Sequence, residues 1–201
     1  MNSPRVVTLC GLPGVGKTTL FTNLRASIKD RRVRFTSEHD PPLIYETNAL
    51  RTSEGPLADA AGALAYALAE HRAALEARRS HARVIVRDRG LEDTLYYQRL
   101  LVHAGRLPPS YASLLDDPDL LHSDVVLYLH VGEIERHRRN DARPEPAAHR
   151  EARRLYEEFA AAGYEATILS HPGSIRLETA GMTAGDVHTA ARAVLAEELC
   201  G

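Results

Sequence analysis

The chain has 201 residues, 44% hydrophobic and 26% charged, with a formal net charge of −2. That is one domain with its own core, and two full-sized domains are excluded. The charge balance excludes a general nucleic-acid or anionic-membrane binder, and no apolar run approaches the ~20 residues of a transmembrane helix. Cys10 and Cys200 make no disulfide framework, and residues 1–5 enter a strand pattern without a signal-peptide core. The expectation is a cytoplasmic protein. Of the 25 basic residues only Lys17 and Lys29 are lysines, and one of them stands in a glycine-rich loop.

Residues 5–10 form a short apolar run stopped by Gly11, which predicts a buried strand. Leu20, Phe21, Leu24 and Ile28 then recur at helical spacing over residues 17–29. Residues 33–37 alternate like a strand, and Asp40-Pro41-Pro42 ends it. Residues 43–55 are ambiguous. A long helix begins at Pro56, with Leu57, Leu64, Leu68 and Leu75 on one face and alanines filling in. Residues 83–87 predict a third strand leading into Asp88-Arg89-Gly90. A helix over 91–103 follows, closed by Gly105 and Pro108-Pro109. Residues 110–121 predict a short helix with a turn at Asp117-Pro118.

Residues 124–130 predict the fourth strand and 133–140 a short, Arg-rich helix. A polar, proline-broken loop spans 142–146, and 149–162 is helical up to Gly163. The fifth strand is 174–178. Thr183 and Asp186 then form a capping-box-like start to a last helix ending near Leu199. Strands alternating with helices imply βαβ units: a three-layer α/β domain, residues 1–201, on a five-stranded parallel sheet. No repeat and no linker divides it.

Gly11-Leu12-Pro13-Gly14-Val15-Gly16-Lys17-Thr18 fits G-x-x-x-x-G-K-[ST] between a strand and a helix. Glycines let backbone N–H groups approach phosphate oxygens, and the helix beginning near Lys17 points its positive end at the anion. Gly11, Gly14, Val15, Gly16, Lys17, Thr18 and Thr19 are therefore the expected ATP contacts. Lys17 is expected on the β- and γ-phosphates and the Thr18 hydroxyl on Mg²⁺. A dinucleotide fingerprint is set aside because Thr19 stands where its third glycine would be. Neither lysine lies in the Asn-Lys-x-Asp motif of GTPases, which leaves mostly small-molecule kinases.

Asp88 ends the third strand on the same sheet edge as the P-loop, where ligands of open α/β sheets collect. A carboxylate there can hold Mg²⁺ or orient an acceptor, and Arg89 can fork onto a phosphate. Arg136, Arg139 and Arg143 lie at i, i+3 and i+7. Arginine stabilises the charge that develops in phosphoryl transfer, and the P-loop itself carries none. Arg139 and Arg143 are therefore the catalytic candidates of this Arg-rich segment over about 133–148. The ten histidines form no metal-ligand spacing, and Cys10 reads as a small packing residue.

The P-loop, Asp88-Arg89 and then Tyr97-Gln98 resemble the thymidylate kinase branch of P-loop nucleotide kinases, and the likeness runs over most of the chain. It implies Mg²⁺- and ATP-dependent phosphorylation of a small nucleotide-like acceptor, with a homodimer as the assembly. By the same resemblance Arg89 binds the acceptor phosphate, and Asp88 organises metal and sugar. Arg72 reads the base, with Thr94 and Gln98 lining the base or sugar pocket. The segment carrying Arg136, Arg138, Arg139 and Arg143 falls at the family's mobile lid, and 175–187 at its last strand, adenine-contacting loop and final helix. Several positions depart from the family. Gly90 replaces an aromatic, Leu68 stands at the base-stacking aromatic with Tyr66 off that face, and Ser37-Glu38-His39-Asp40-Pro41 lacks the family's arginine. Glu38 also resembles the general base of deoxynucleoside kinases, which leaves a nucleoside 5′-hydroxyl acceptor as the alternative. A nucleotide-binding switch or assembly factor that hydrolyses ATP slowly stays open as a different class.

Overall fold

The computed structural model describes residues 3–37, 56–142, 161 and 163–200. Its five strands are β1 (Arg5–Cys10), β2 (Val33–Ser37), β3 (Val84–Asp88), β4 (Val125–His130) and β5 (Ser174–Glu178). All pair in parallel, in the order β2-β3-β1-β4-β5. The helices are α1 (Lys17–Ser27), α2 (Pro56–Arg78), α3 (Leu91–His103), α4 (Ser110–Ser113), α5 (Glu133–Asp141), α6 (Tyr164–Leu169) and α7 (Ala184–Cys200). The five strand expectations hold to within a residue. Of the helix expected over 149–162, most lies outside the described residues.

Alternate side chains of a strand face opposite sides of the sheet, and here each side has its own core. Val7, Leu9, Val84, Val86, Leu127 and Leu129 pack on one side against Leu20, Phe21 and Leu24 of α1 and Val187, Ala191 and Leu195 of α7. Cys10, Val126 and Tyr128 pack on the other side against Tyr96 of α3 and Tyr164 and Ile168 of α6. Burial on both faces explains the near-continuous apolar runs of β1, β3 and β4. Thr183 caps α7 as its sequence implies: the Asp186 N–H donates to Thr183 Oγ1 at 3.2 Å, and the Thr183 N–H donates to the Asp186 carboxylate at 2.9 Å.

In α2 it is the alanines that face inward. Ala63, Ala65, Ala67, Ala74 and Ala77 are buried, whereas the four leucines of the shared face are exposed. Small residues let α2 lie close to α3, where Gln98 Nε2 donates to the Ala63 carbonyl at 2.9 Å. Two charged residues of β3 and α2 are buried as a pair: Arg87 meets Glu70 at 2.8 Å. Each neutralises the charge the other brings out of water.

Candidate active site

Register brings the chemistry to one sheet edge. Leu9 of β1 and Ser37 of β2 both pair with Asp88 of β3. Gly16 caps α1 in the left-handed region at φ 100, and a Cβ there would meet nothing within 4 Å. Backbone conformation, not crowding, is what calls for glycine at that position. Gly14 is left-handed too, at φ 88, and is crowded as well: a Cβ would lie 2.8 Å from both the Arg136 carbonyl and Asn140 Oδ1, so α5 rests directly on the loop. Asn140 Nδ2 donates to the Pro13 carbonyl at 3.2 Å and fastens the contact.

Lys17 is almost wholly buried, its ammonium donating to the Gly11 carbonyl at 2.6 Å and the Leu12 carbonyl at 3.2 Å. Thr18 Oγ1 donates to Asp88 Oδ2 at 3.4 Å, which joins the two residues expected at the metal. A hydroxyl beside a carboxylate is an oxygen donor set that suits Mg²⁺. Among the described residues no group of three or more His, Cys, Asp or Glu could enclose a metal. A divalent ion held by Thr18 and Asp88 would take its other ligands from phosphate and water, the usual habit of Mg²⁺.

Arg89 follows at φ 64, the sole non-glycine in the left-handed region among the described residues. Such a conformation costs roughly 1–2 kcal/mol and persists only where surroundings enforce it. The enforcement is visible. The Arg89 N–H donates to the Leu9 carbonyl at 3.1 Å, its guanidinium donates to Asp93 Oδ1 at 3.0 Å, and it lies 5.9 Å from the centre of the Tyr97 ring. Gly90, the departure from the family aromatic, also has a reason. A Cβ there would approach the Thr8 side chain to 2.9 Å, so the backbone sits against β1.

Asp93 is a centre that the sequence did not single out. Besides Arg89 it accepts from Cys10 Sγ at 2.9 Å and from the Tyr164 hydroxyl, which in turn accepts the Gly11 N–H at 3.0 Å. Cys10 is thus a hydrogen-bond donor as well as a packing residue. Burial first, and then the Asp93 carboxylate, push the Cys10 thiol and the Tyr164 phenol well above their ordinary values, so both stay protonated. One buried carboxylate therefore ties the first P-loop residue to the Asp-Arg turn. The i+4 spacing from Arg89 to Asp93 is the sequence signal for half of this network. Tyr164 comes from 71 positions away and left no signal.

One cavity borders the loop, and a second lies beside β2 and β3. The first, about 350 Å³, is lined by Gly14, Val15, Gly16 and Thr19 together with Arg139 and residues of the β5–α7 connection such as Thr179 and Met182. Expected ATP contacts, one lid arginine and the expected adenine-side loop thus share one space. Arg139 is held by Glu135 at 2.8 Å. Bonds from Arg138 and then Arg139 keep that carboxyl down at about 2. Arg143 and Glu38 lie outside the described residues.

The second cavity, about 150 Å³, gathers Arg34, Arg72, Arg87 and Arg89 with Glu70, Glu76, Tyr66 and Thr94. Each arginine has a carboxylate partner. Glu76 takes Arg34 at 2.5 Å and Arg72 at 2.9 Å, Glu70 takes Arg87, and Asp93 takes Arg89. Thr94 Oγ1 donates to Glu70 Oε1 at 3.1 Å. Arg72, Arg89 and Thr94, expected at the acceptor, are brought together. Gln98 is not among the lining residues; it spans α3 and α2 through the Ala63 carbonyl. Tyr66, off the expected reading face, does reach the cavity, and Arg34 supplies an arginine from within β2. The alternation of β2 was the available signal for Arg34.

A phosphate loop at the head of a parallel sheet, with a metal-suited oxygen pair and a cavity bordering the loop, defines a P-loop nucleotide-binding domain. Residues 6–176 match the AAA domain family, and the chain belongs to that family. No curated protein matches the sequence. Among solved structures the chain is similar to thymidylate kinase from Candida albicans, with TM-score 0.68 and 15% identity over 97% of this chain and 92% of that one. It is similar also to deoxyadenosine kinase from M. mycoides. The form with bound dATP gives TM-score 0.65 and 14% identity over 94% and 98% of the two chains. The form with dCMP and dCDP gives 0.67 and 13% over 96% and 99%. At these identities the likeness establishes the fold, which this chain shares with those two kinases.

Proposed function

We propose that the protein is a Mg²⁺- and ATP-dependent kinase that transfers the γ-phosphoryl group to a small, nucleotide-like acceptor bearing a phosphate. The observation that carries this reading is the acceptor-side cavity: four arginines line it, and two of them, Arg87 and Arg89, flank Asp88 in the chain. A slow ATPase switch has no use for a second anion-binding cavity. An acceptor monophosphate arrives as an anion, and arginine forks are suited to it.

In this reading Gly11 to Thr19 cradle the triphosphate through backbone N–H groups, and Lys17 neutralises its β- and γ-oxygens. Thr18 and Asp88 would hold Mg²⁺, which would supply positive charge to the phosphate groups during transfer. Arg89, fixed by Asp93, clamps the acceptor phosphate, and Arg72 with Thr94 meets the rest of the acceptor. Arg139 leaves Glu135 to stabilise the transferring group, with Arg143 as the second lid arginine.

The test is ADP release from Mg²⁺·ATP against a panel of nucleosides and their 5′-monophosphates, with Lys17→Ala as blank. Turnover with a monophosphate supports the reading. Turnover only with unphosphorylated nucleosides makes Glu38 the base and overturns the phosphate-clamp role of Arg89. ATP consumption indifferent to every acceptor returns the protein to the switch class.

A further inference from the structure

A third cavity, about 460 Å³, lies between α3 and α6. It is roomier than the donor-side or the acceptor-side cavity and shares no lining residue with either. Its size is that of a small-ligand site. On α3, Glu92, Leu95, Tyr96, Arg99, Leu100 and His103 fall at i, i+3, i+4, i+7, i+8 and i+11, one helical face about 16 Å long. Ile168 of α6 completes an apolar floor with the leucines and Tyr96. Ile168 and Tyr96 are 1% and 8% exposed and belong to the core on that side of the sheet, so packing holds the floor in shape. The opposite wall, α6, is six residues long, about 9 Å, too short to flank a partner helix.

The polar groups select the sign of the ligand. Arg99 and His103, one turn apart, are both exposed, and among the described residues neither has an ion pair or a side-chain hydrogen bond. His171 enters from the other wall. Its Nδ1 accepts the Gly173 N–H at 3.1 Å, which places the ring proton on Nε2 as a donor. The one carboxylate of the described lining is already occupied: Glu92 accepts from the Ser123 N–H at 2.9 Å and from the Ser123 hydroxyl at 2.8 Å. A cation would meet Arg99 and find no free carboxylate. A neutral apolar molecule would strip water from the guanidinium and return nothing. An anionic head on an apolar body satisfies floor and rim together.

We propose that this cavity is an additional ligand site, separate from phosphoryl transfer, that takes a small organic anion. Its apolar body rests on Leu95, Tyr96, Leu100 and Ile168, and its anionic head is held by Arg99 with His103 and His171. Neither the P-loop nor the acceptor-side arginines take part, so the anion and Mg²⁺·ATP are bound together, whichever acceptor the protein uses.

Fluorescence titration of the intact chain with anilinonaphthalenesulfonate, an aromatic body bearing one anion, tests the site. N-phenylnaphthylamine, the same body without the sulfonate, is the control. The expected result is one saturable site that holds the sulfonate at least about tenfold more tightly than the neutral probe, the ratio that one charge-assisted hydrogen bond supplies. Saturating Mg²⁺·ATP should leave that binding unchanged. Arg99→Gln/His103→Gln should bring the two probes level with the helical circular dichroism intact, since both side chains are exposed, and Arg99→Lys alone should keep most of the preference. Equal affinity for the two probes on the natural chain, sulfonate binding untouched by the double substitution, or displacement of the sulfonate by Mg²⁺·ATP would each overturn the proposal. The two-probe comparison and the Mg²⁺·ATP competition decide the question on the natural chain, without any substitution.

Discussion

The donor-side cavity is walled by loop glycines and neutral side chains, and Arg139 is its one charged residue among the described lining; the acceptor-side cavity holds four arginines and two glutamates. In the proposed reading the first would recognise phosphate with backbone N–H groups, so its specification is contiguous and short. The second would recognise its ligand with side chains drawn from β2, α2, β3 and α3. Each of its arginines already rests on a carboxylate. Tethering removes rotamer freedom before binding and keeps the cavity from being a bare cluster of positive charge. On the proposed function, anion recognition by backbone would be generic, and selectivity between acceptors would reside in the tethered guanidinium groups.

The comparison breaks most severely at Lys17. Lys17→Ala is expected to lower turnover by about 10³-fold or more while the far-ultraviolet circular dichroism stays unchanged, since the loss is of charge aimed at the transferring phosphate. Substantial residual activity would remove the donor site from the P-loop.

Next comes the residue that joins the two sides. Asp93→Ala strands Arg89 and leaves the Cys10 and Tyr164 donors without their acceptor. Breaking a buried pair by removing one partner costs about 3–5 kcal/mol. At 2–4 °C per kcal/mol for a chain of this size, the melting temperature should drop by roughly 6–20 °C. A drop of only a degree or two would mean the network is dispensable.

Alkaline pH probes the same network without substitution. Cys10 and Tyr164 titrate in the native chain well above 9.0 and 10.0, their ordinary values. Both native values are raised, so their contribution is complete below pH 9 and declines as the pH rises, because the unfolded chain releases protons the native state retains. Urea midpoints measured between pH 8 and 11 should fall, and Tyr164→Phe should flatten the upper part of the curve.

The smallest effect on stability is expected at Glu76. Its pairs with Arg34 and Arg72 are more than a third exposed on both sides, and such pairs contribute about 0–1 kcal/mol. Glu76→Gln should leave the melting temperature nearly unchanged while shifting the KM of the acceptor far more than that of ATP. Equal shifts in both constants would dissolve the distinction between the cavities.

Hydrophobic period and glycine placement made the sheet, its order of elements and the phosphate loop readable, because both act over a few neighbouring residues. The pairing of Thr18 with Asp88 was readable too, since Asp88 ends β3 and Thr18 opens α1 just past the loop that follows β1, and parallel strands bring both to one sheet edge. Resemblance placed Gln98 at the acceptor, yet its Nε2 donates to the Ala63 carbonyl, a partner supplied by another helix.

By itself, then, the sequence of this protein determined a parallel α/β domain with a P-loop and an Asp-Arg turn at one edge. Tertiary structure alone decided that the alanines of α2 face the core and its leucines face outward, since helical period identifies two faces without saying which is covered. It also brought Arg34, Tyr164 and Asp93 to the candidate site. Arg34 meets Glu76, and Asp93 meets Tyr164 and Cys10, across segments distant in the chain, and such contacts exist only once packing has brought those segments together.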